Sequence, residues 1–167
     1  MITTREIQAH DERCEVAKKR LQEQNIHGAW DAEPNRMEWE HQGLQCLLVR
    51  HEHSLHWCGY VGIPPSHPLF GKTYGEVGNL LDAHGEVNFS NECAGVVCHI
   101  PKEGDVDDLW WFGFDCGHTW DLSPTWLDSS VSDSLRRLLK DKTYRDTAFA
   151  RAHVSSLAEQ LAKISPQ

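Results

Sequence analysis

The sequence predicts an α+β chain: an antiparallel sheet of about four to five strands flanked by an N-terminal helix and C-terminal helices. Three observations carry this. A capped, thinly amphipathic segment opens the chain, short β-branched and aromatic runs fill its middle, and helical apolar periodicity returns at the end. At 167 residues, 40% hydrophobic and 25% charged, it has the size and composition of one globular domain. That domain divides into a helix and connector (1–43), a sheet with a pocket (44–121) and C-terminal helices (122–167).

Residues 3–24 read as a helix. Thr3 with Glu6 fits a capping box, and Ile7, Cys14, Ala17 and Leu21 form one apolar stripe. "NIHGAWDAEPNRMEWEHQG" then reads as an irregular connector, with Gly28 and Pro34 as breakers and Trp30 and Trp39 pinning it to the body. "LQCLLVR" (Leu44–Arg50) and "HWCGYVG" (56–62) are strands joined by "HEHSL", a hairpin. "IPPSHPLFGKTYGEV" is a Pro/Gly-rich loop with room for one helical turn. "LLDAHGEVNFS" (80–90), "CAGVVCHI" (93–100) and "LWWFGFD" (109–115) complete the strand set. At the end, Ser132 caps a short helix. Thr143 with Asp146 resembles a capping box before a longer one, whose buried stripe is Ala150, Val154, Leu157, Leu161 and Ile164.

Composition narrows the function. A formal charge of −9 argues against binding nucleic acid by covering its phosphates. No apolar run reaches the roughly 20 residues of a membrane span, and the N-terminus lacks the apolar middle of a signal peptide. A cytoplasmic location is therefore expected. There the six cysteines Cys14, Cys46, Cys58, Cys93, Cys98 and Cys116 would be reduced thiols. Cys46 and Cys58 read as small core residues. The absence of any C-x-x-C pair removes sequence support for a structural zinc site. The acidic turn 105–108 lacks the ligand spacing of a calcium loop.

The chemistry is expected around "LWWFGFDCGHTWD". Alternation puts Trp110, Phe112 and Phe114 on a core face and Trp111, Gly113 and Asp115 on the other. There an aromatic wall, a gap and a carboxylate suit a ligand approaching at the glycine. Alternation in "HGEVNF" likewise sets His84, Glu86 and Asn88 against Val87 and Phe89, so His84 and Asn88 are expected to converge with Asp115. Three jobs stay open for this set. One is a metal, zinc or iron, on Cys116, His118 and His84. Another is covalent catalysis by a Cys116 nucleophile with His84 or His118 as base. The third is binding of a small nucleotide-like ligand. Trp111 and Trp120 would stack on it, His84, Asn88, Asp115, His118 and Asp121 would fix polar edges, and Trp57 and Tyr60 would form the rim. His51, His53 and His56 read as exposed turn residues and His67 as a loop residue. A homodimer could complete such a site.

"CGYVGIPPSHPLFGK", "HGEVNFS", "LWWFGFDCGHTWD" and the tail "TYRD…LAEQL" resemble a group of small proteins encoded by tailed phages and prophages. Those share an HG-x-x-[TN]-[FY] segment followed by WWFGFDC-x-H-x-x-D. The resemblance spans 58–121 and the last helix, and Glu86 departs from it by replacing a small residue. It implies a phage accessory protein in the host cytoplasm, with counter-defence as one such role, and assigns no catalytic residue. Capture of a nucleotide signal fits a tryptophan-walled polar pocket, with two alternatives: a hydrolase at the same site, or an acidic inhibitor of a host defence protein.

Overall fold

A computed structural model describes residues 2–104 and 108–164; of the acidic turn 105–108, the first three residues lie outside this range. The fold is α+β, as the sequence predicts. Five strands, β1 (Arg36–His41), β2 (Leu44–Arg50), β3 (Trp57–Ile63), β4 (Phe89–Asn91) and β5 (Trp110–Asp115), form one sheet in the order β1-β2-β3-β5-β4. Every neighbouring pair is antiparallel. No helix is long and apolar enough to cross a membrane among the described residues.

Helix α1 (Thr4–Glu23) begins where its capping box demands: the Glu6 amide donates to Thr3 Oγ1 at 3.2 Å, and the Thr3 amide donates to Glu6 Oε2 at 2.8 Å. Its buried stripe is more polar than expected, since His10 and Lys18 are buried beside Cys14 and Leu21. Both are satisfied: the His10 ring meets the Arg50 carbonyl at 2.7 Å, and Lys18 donates to the Glu33 carbonyl at 2.7 Å. Arg50 is itself buried over the Trp57 ring and donates to Asn35, Leu55, Pro34, Glu33 and the Tyr144 hydroxyl. One fully partnered guanidinium thus ties the connector, the β2–β3 turn and Tyr144 to the sheet, while its own backbone carbonyl meets α1.

Helix α4 (Thr147–Ala162) lies across β2 and β3. Its Ala150, Val154, Leu157 and Leu161 close the main core on Leu48, Val61, Phe112 and Phe114. Of the expected stripe, Ile164 is only partly buried. Asp146 alone is the N-cap, accepting from the Phe149 amide at 2.8 Å, whereas Thr143 makes a parallel bridge with Asp121. The short helices α2 (Tyr74–Val77) and α3 (Asp133–Leu139), the latter capped by Ser132, match the sequence reading.

Three expectations are corrected. The connector contains a strand: β1 presents Met37 and Trp39 to the main core and turns into β2 through Gln42 and Gly43, both at positive φ (54° and 74°). That is the backbone of a two-residue hairpin turn. Residues 93–100 form no named strand. Ala94 and Val97 exchange backbone hydrogen bonds, and a disulfide joins Cys93 to Cys98, so the expectation of thiols throughout fails at these two. Residues 80–90 contribute only the start of β4, because Gly85 at φ 78° breaks the extended run.

A divided polar site at the end of β5

The turn after β5 builds a dense polar cluster. Cys116 continues the ladder by donating its amide to the Trp57 carbonyl at 2.8 Å, which turns its side chain into the main core. The chain then reverses: the Gly117 amide donates to Asp115 Oδ1 (2.7 Å), and the Asp121 amide donates to the His118 carbonyl (2.9 Å). The Thr143 amide donates to the Trp120 carbonyl and the Leu122 amide to the Thr143 carbonyl, which brings the segment entering α4 alongside.

Asp121 lies at the centre, with no exposed side-chain surface. Its Oδ2 receives His84 Nε2 at 2.8 Å, His118 Nδ1 at 3.0 Å and the His118 amide at 3.2 Å. Its Oδ1 accepts from Arg145 Nε at 2.8 Å. Burial pushes the Asp121 carboxyl up, but Arg145, His84 and His118 outweigh it and hold the group below the usual carboxylate range. Hydrogen bonds to the charged form keep it ionised.

His84 reaches the cluster because segment 80–87 is anchored on both sides. Leu81 and Val87 enter the main core, while Gln160 of α4 exchanges two hydrogen bonds with the Asp82 backbone. Gly85 follows, and a Cβ there would overlap the His118 ring. Trp120 stacks on that ring with centroids 4.8 Å apart and planes at 1°, and is 51% exposed, so one face remains open. Phe149 and His153 of α4 close the inner side of His84. Burial, then the neighbouring His84, lowers the His153 pKa.

His84, His118 and Asp121 each offer one ligand atom, and the three atoms lie within 4.8 Å of one another. Two imidazoles and a carboxylate are a donor set suited to zinc or ferrous iron. Ligand atoms around a tetrahedral zinc with bonds of about 2.0–2.1 Å stand about 3.3 Å apart. The 2.8 and 3.0 Å contacts would therefore open by a few tenths of an ångström as each ring moves its proton to the other nitrogen, and the His84–His118 pair, within 4.8 Å, would have to reach the same spacing.

The single site expected from strand alternation is in fact two. The turn at Gly85 places His84 with Asp121 and sends Asn88 elsewhere. Asn88 donates to Asp115 Oδ2 at 2.7 Å, on the other side of the Gly117 turn. There Asp115 and Asn88 line a cavity of about 380 Å³ with Tyr60, Phe89, His51 and His56. Burial raises the Asp115 carboxyl, but Asn88 and the Gly117 amide bring it below its ordinary value. The gap at Gly113 is filled by the Tyr60 ring, which a Cβ would strike. Tyr60 is therefore a wall of this cavity, while Trp57 belongs to the main core.

Two candidates fall outside both halves. Trp111 has no exposed surface and packs with Leu47, Val49, Val97 and Leu109, so it stacks on nothing beyond the protein. Cys116 is 1% exposed; burial, and then the Asp121, Cys58 and Asp115 groups, push its thiol far above its ordinary range. No hydrogen bond joins it to a histidine among the described residues, so it has neither the base nor the access a nucleophile needs. In the metal set Asp121 takes the place expected for Cys116.

Sequence reasoning missed Arg145, His153 and the His51–Ser54–His56–Ser123 group. Arg145 had one signal, its place in the "TYRD" segment on which the expected resemblance partly rested. The chain matches no protein family, and neither a curated protein nor a solved structure shows significant similarity to it. Fold and site together define an α+β chain with a histidine–aspartate centre beside a carboxylate-bearing cavity.

Proposed function

We propose that the chain is a metal-dependent hydrolase of a small nucleotide-like molecule, with one divalent ion held by His84, His118 and Asp121. One observation carries this: a buried, ionised Asp121 gathers two imidazoles on a single oxygen, with Arg145 fixing the other oxygen. Neutral imidazoles with a carboxylate leave coordination positions for water, and a divalent ion lowers the pKa of that water toward neutrality. Arg145 orients the carboxylate from outside the ligand set, as partners of metal ligands commonly do. The open face of Trp120 offers a stacking surface for a base beside the ion. A net charge of −9 favours recruitment of a cation. In the phage setting implied by the sequence resemblance, destruction of a nucleotide signal is the role this chemistry suits.

The test is metal loading. The intact chain, stripped with chelator and dialysed against zinc, manganese or ferrous ion, is expected to retain one ion per chain by elemental analysis. The partly exposed His118→Gln variant should retain far less. A stripped chain that takes up none of the three ions, or a His118→Gln variant that loads like the parent, ends the metal reading.

A further inference from the structure

The cavity on the far side of the Gly117 turn has its own chemistry, independent of any ion at His84. We infer that it binds a fused heteroaromatic ring carrying an amidine-like N–H edge, such as the edge that 2-aminobenzimidazole presents, with those N–H groups on Asp115.

The acceptors of this lining are gathered at the Asp115–Asn88 end, while the Tyr60 hydroxyl and Cys58 thiol meet each other. Asp115 accepts one protein hydrogen bond on each oxygen, from Asn88 Nδ2 and from the Gly117 amide. A carboxylate has about four acceptor sites, so about two remain. Because the Asn88 amide nitrogen is engaged by Asp115, its Oδ1 is also left to accept. Among the described residues no lysine or arginine lines the cavity, so an anionic group would meet a carboxylate with no countercharge there, whereas a donor-rich edge meets matched acceptors.

The pair His51 and His56 can add a further acceptor. Its Nδ1 faces Ser54 Oγ at 3.0 Å and Ser123 Oγ at 3.2 Å, and Ser54 Oγ also faces His51 Nδ1 at 2.7 Å. A serine hydroxyl has one proton. Ser54 can therefore donate to only one of the two rings. A neutral ring that receives no hydroxyl proton on Nδ1 carries its own proton there and leaves Nε2 as an acceptor. Burial, then the neighbouring His51, brings the His56 pKa down to about 4, so that ring is neutral near pH 7.

Size and walls fit a flat ring. About 380 Å³ is at the small end of ligand cavities, and Tyr60 and Phe89 form an edge-to-face pair, centroids 5.1 Å apart, along one side. A neighbouring hollow of about 410 Å³ shares His51, Cys58 and Tyr60, giving a ring substituent room to extend.

The experiment is calorimetric titration of the intact, chelator-stripped chain with 2-aminobenzimidazole, benzimidazole and benzoate. The amino compound is expected to bind at least about tenfold tighter than benzimidazole, because a site built for a donor rejects an analogue lacking it. Asp115→Asn should weaken it at least about tenfold by removing the charge. Exposed Asn88→Ala should also weaken it, and decides the matter should Asp115→Asn fail to fold. No binding at millimolar ligand, equal affinity for benzimidazole, tighter binding of benzoate, or an amino-compound affinity that survives Asn88→Ala would each overturn the inference. Binding to the stripped chain separates this site from the metal reading: either stands if the other fails. Guanosine against inosine, which differ by one exocyclic amine, then tests whether the natural ligand is a nucleoside.

Discussion

Gly85→Ala probes the histidine–aspartate centre, and Gly71→Ala is its internal control. The two glycines have nearly the same φ, 78° and 76°, and a left-handed φ strains an alanine at either by about 1–2 kcal/mol. Reduced freedom of the unfolded chain returns about 0.4–1 kcal/mol at either position. Their surroundings differ: a Cβ at Gly71 meets nothing within 4 Å, whereas one at Gly85 overlaps Nε2, Cε1 and Cδ2 of His118. The His118 ring must then move. That breaks its bond to Asp121 Oδ2 and its stack on Trp120, and a hydrogen bond to a charged partner contributes about 1.5–3 kcal/mol. Allowing for the 17% exposure of His118, Gly85→Ala should cost about 1–2 kcal/mol beyond Gly71→Ala. Urea unfolding of parent and both variants measures this difference, and metal loading of the folded variants should fall for Gly85→Ala alone. If the two variants unfold within about 0.5 kcal/mol of each other and load metal equally, Gly85 does not position His118, and the construction of the site given above is wrong.

Acid should destabilise the fold through His56. Its folded pKa of about 4 lies below the ordinary value of 6.5, so the unfolded chain takes up the proton first. Stability from this group is complete above about pH 7 and falls as pH drops from 6.5 toward 4, by at most about 3 kcal/mol. Buried His10 and part-buried His153 act in the same sense, and thermal midpoints of the parent and His56→Gln between pH 7.5 and 4.5 should converge toward the acid end. Cys116→Ser should leave metal loading unchanged while lowering stability by about 1–3 kcal/mol, because it puts a hydroxyl into an apolar core; a variant as stable as the parent that no longer loads metal would return Cys116 to the site.

What was legible in the sequence follows from which physical signals are local. The Thr3–Glu6 box, the Ser132 cap and the 3.6-residue stripe of α4 are interactions within one turn or one face, and they appear where the pattern puts them. The body of β2 was legible because four consecutive apolar residues, Cys46 to Val49, fill it. Strand β1 was hidden by its breakers: Gly28 and Pro34 precede it, yet the alternation of Met37 and Trp39 with charged neighbours and the Gln42-Gly43 turn mark a hairpin. The run 93–100 misled in the opposite way, since β-branched residues fill a loop closed by Cys93 and Cys98.

The division of the site turns on one dihedral that strand periodicity cannot see. Alternation assumes an extended chain, and under that assumption His84, Glu86 and Asn88 share a face. The left-handed bend at Gly85 changes the parity of everything before it. His84 passes to Asp121 while Asn88 stays with Asp115. The dipeptide "HG" held the clue, for a glycine after a histidine in a polar strand invites a turn as readily as a ligand. The close approach inferred at Gly113 has a similar resolution: something does come close, and it is the Tyr60 ring from the neighbouring strand. What unites the two halves is Gly117, a residue with no side chain. It separates the Asp115 cavity from the His118 centre by a single peptide turn, and a Cβ there would press on both His56 and Asp115. A ligand ring in the cavity and an ion at His84 would therefore lie on opposite sides of one short turn.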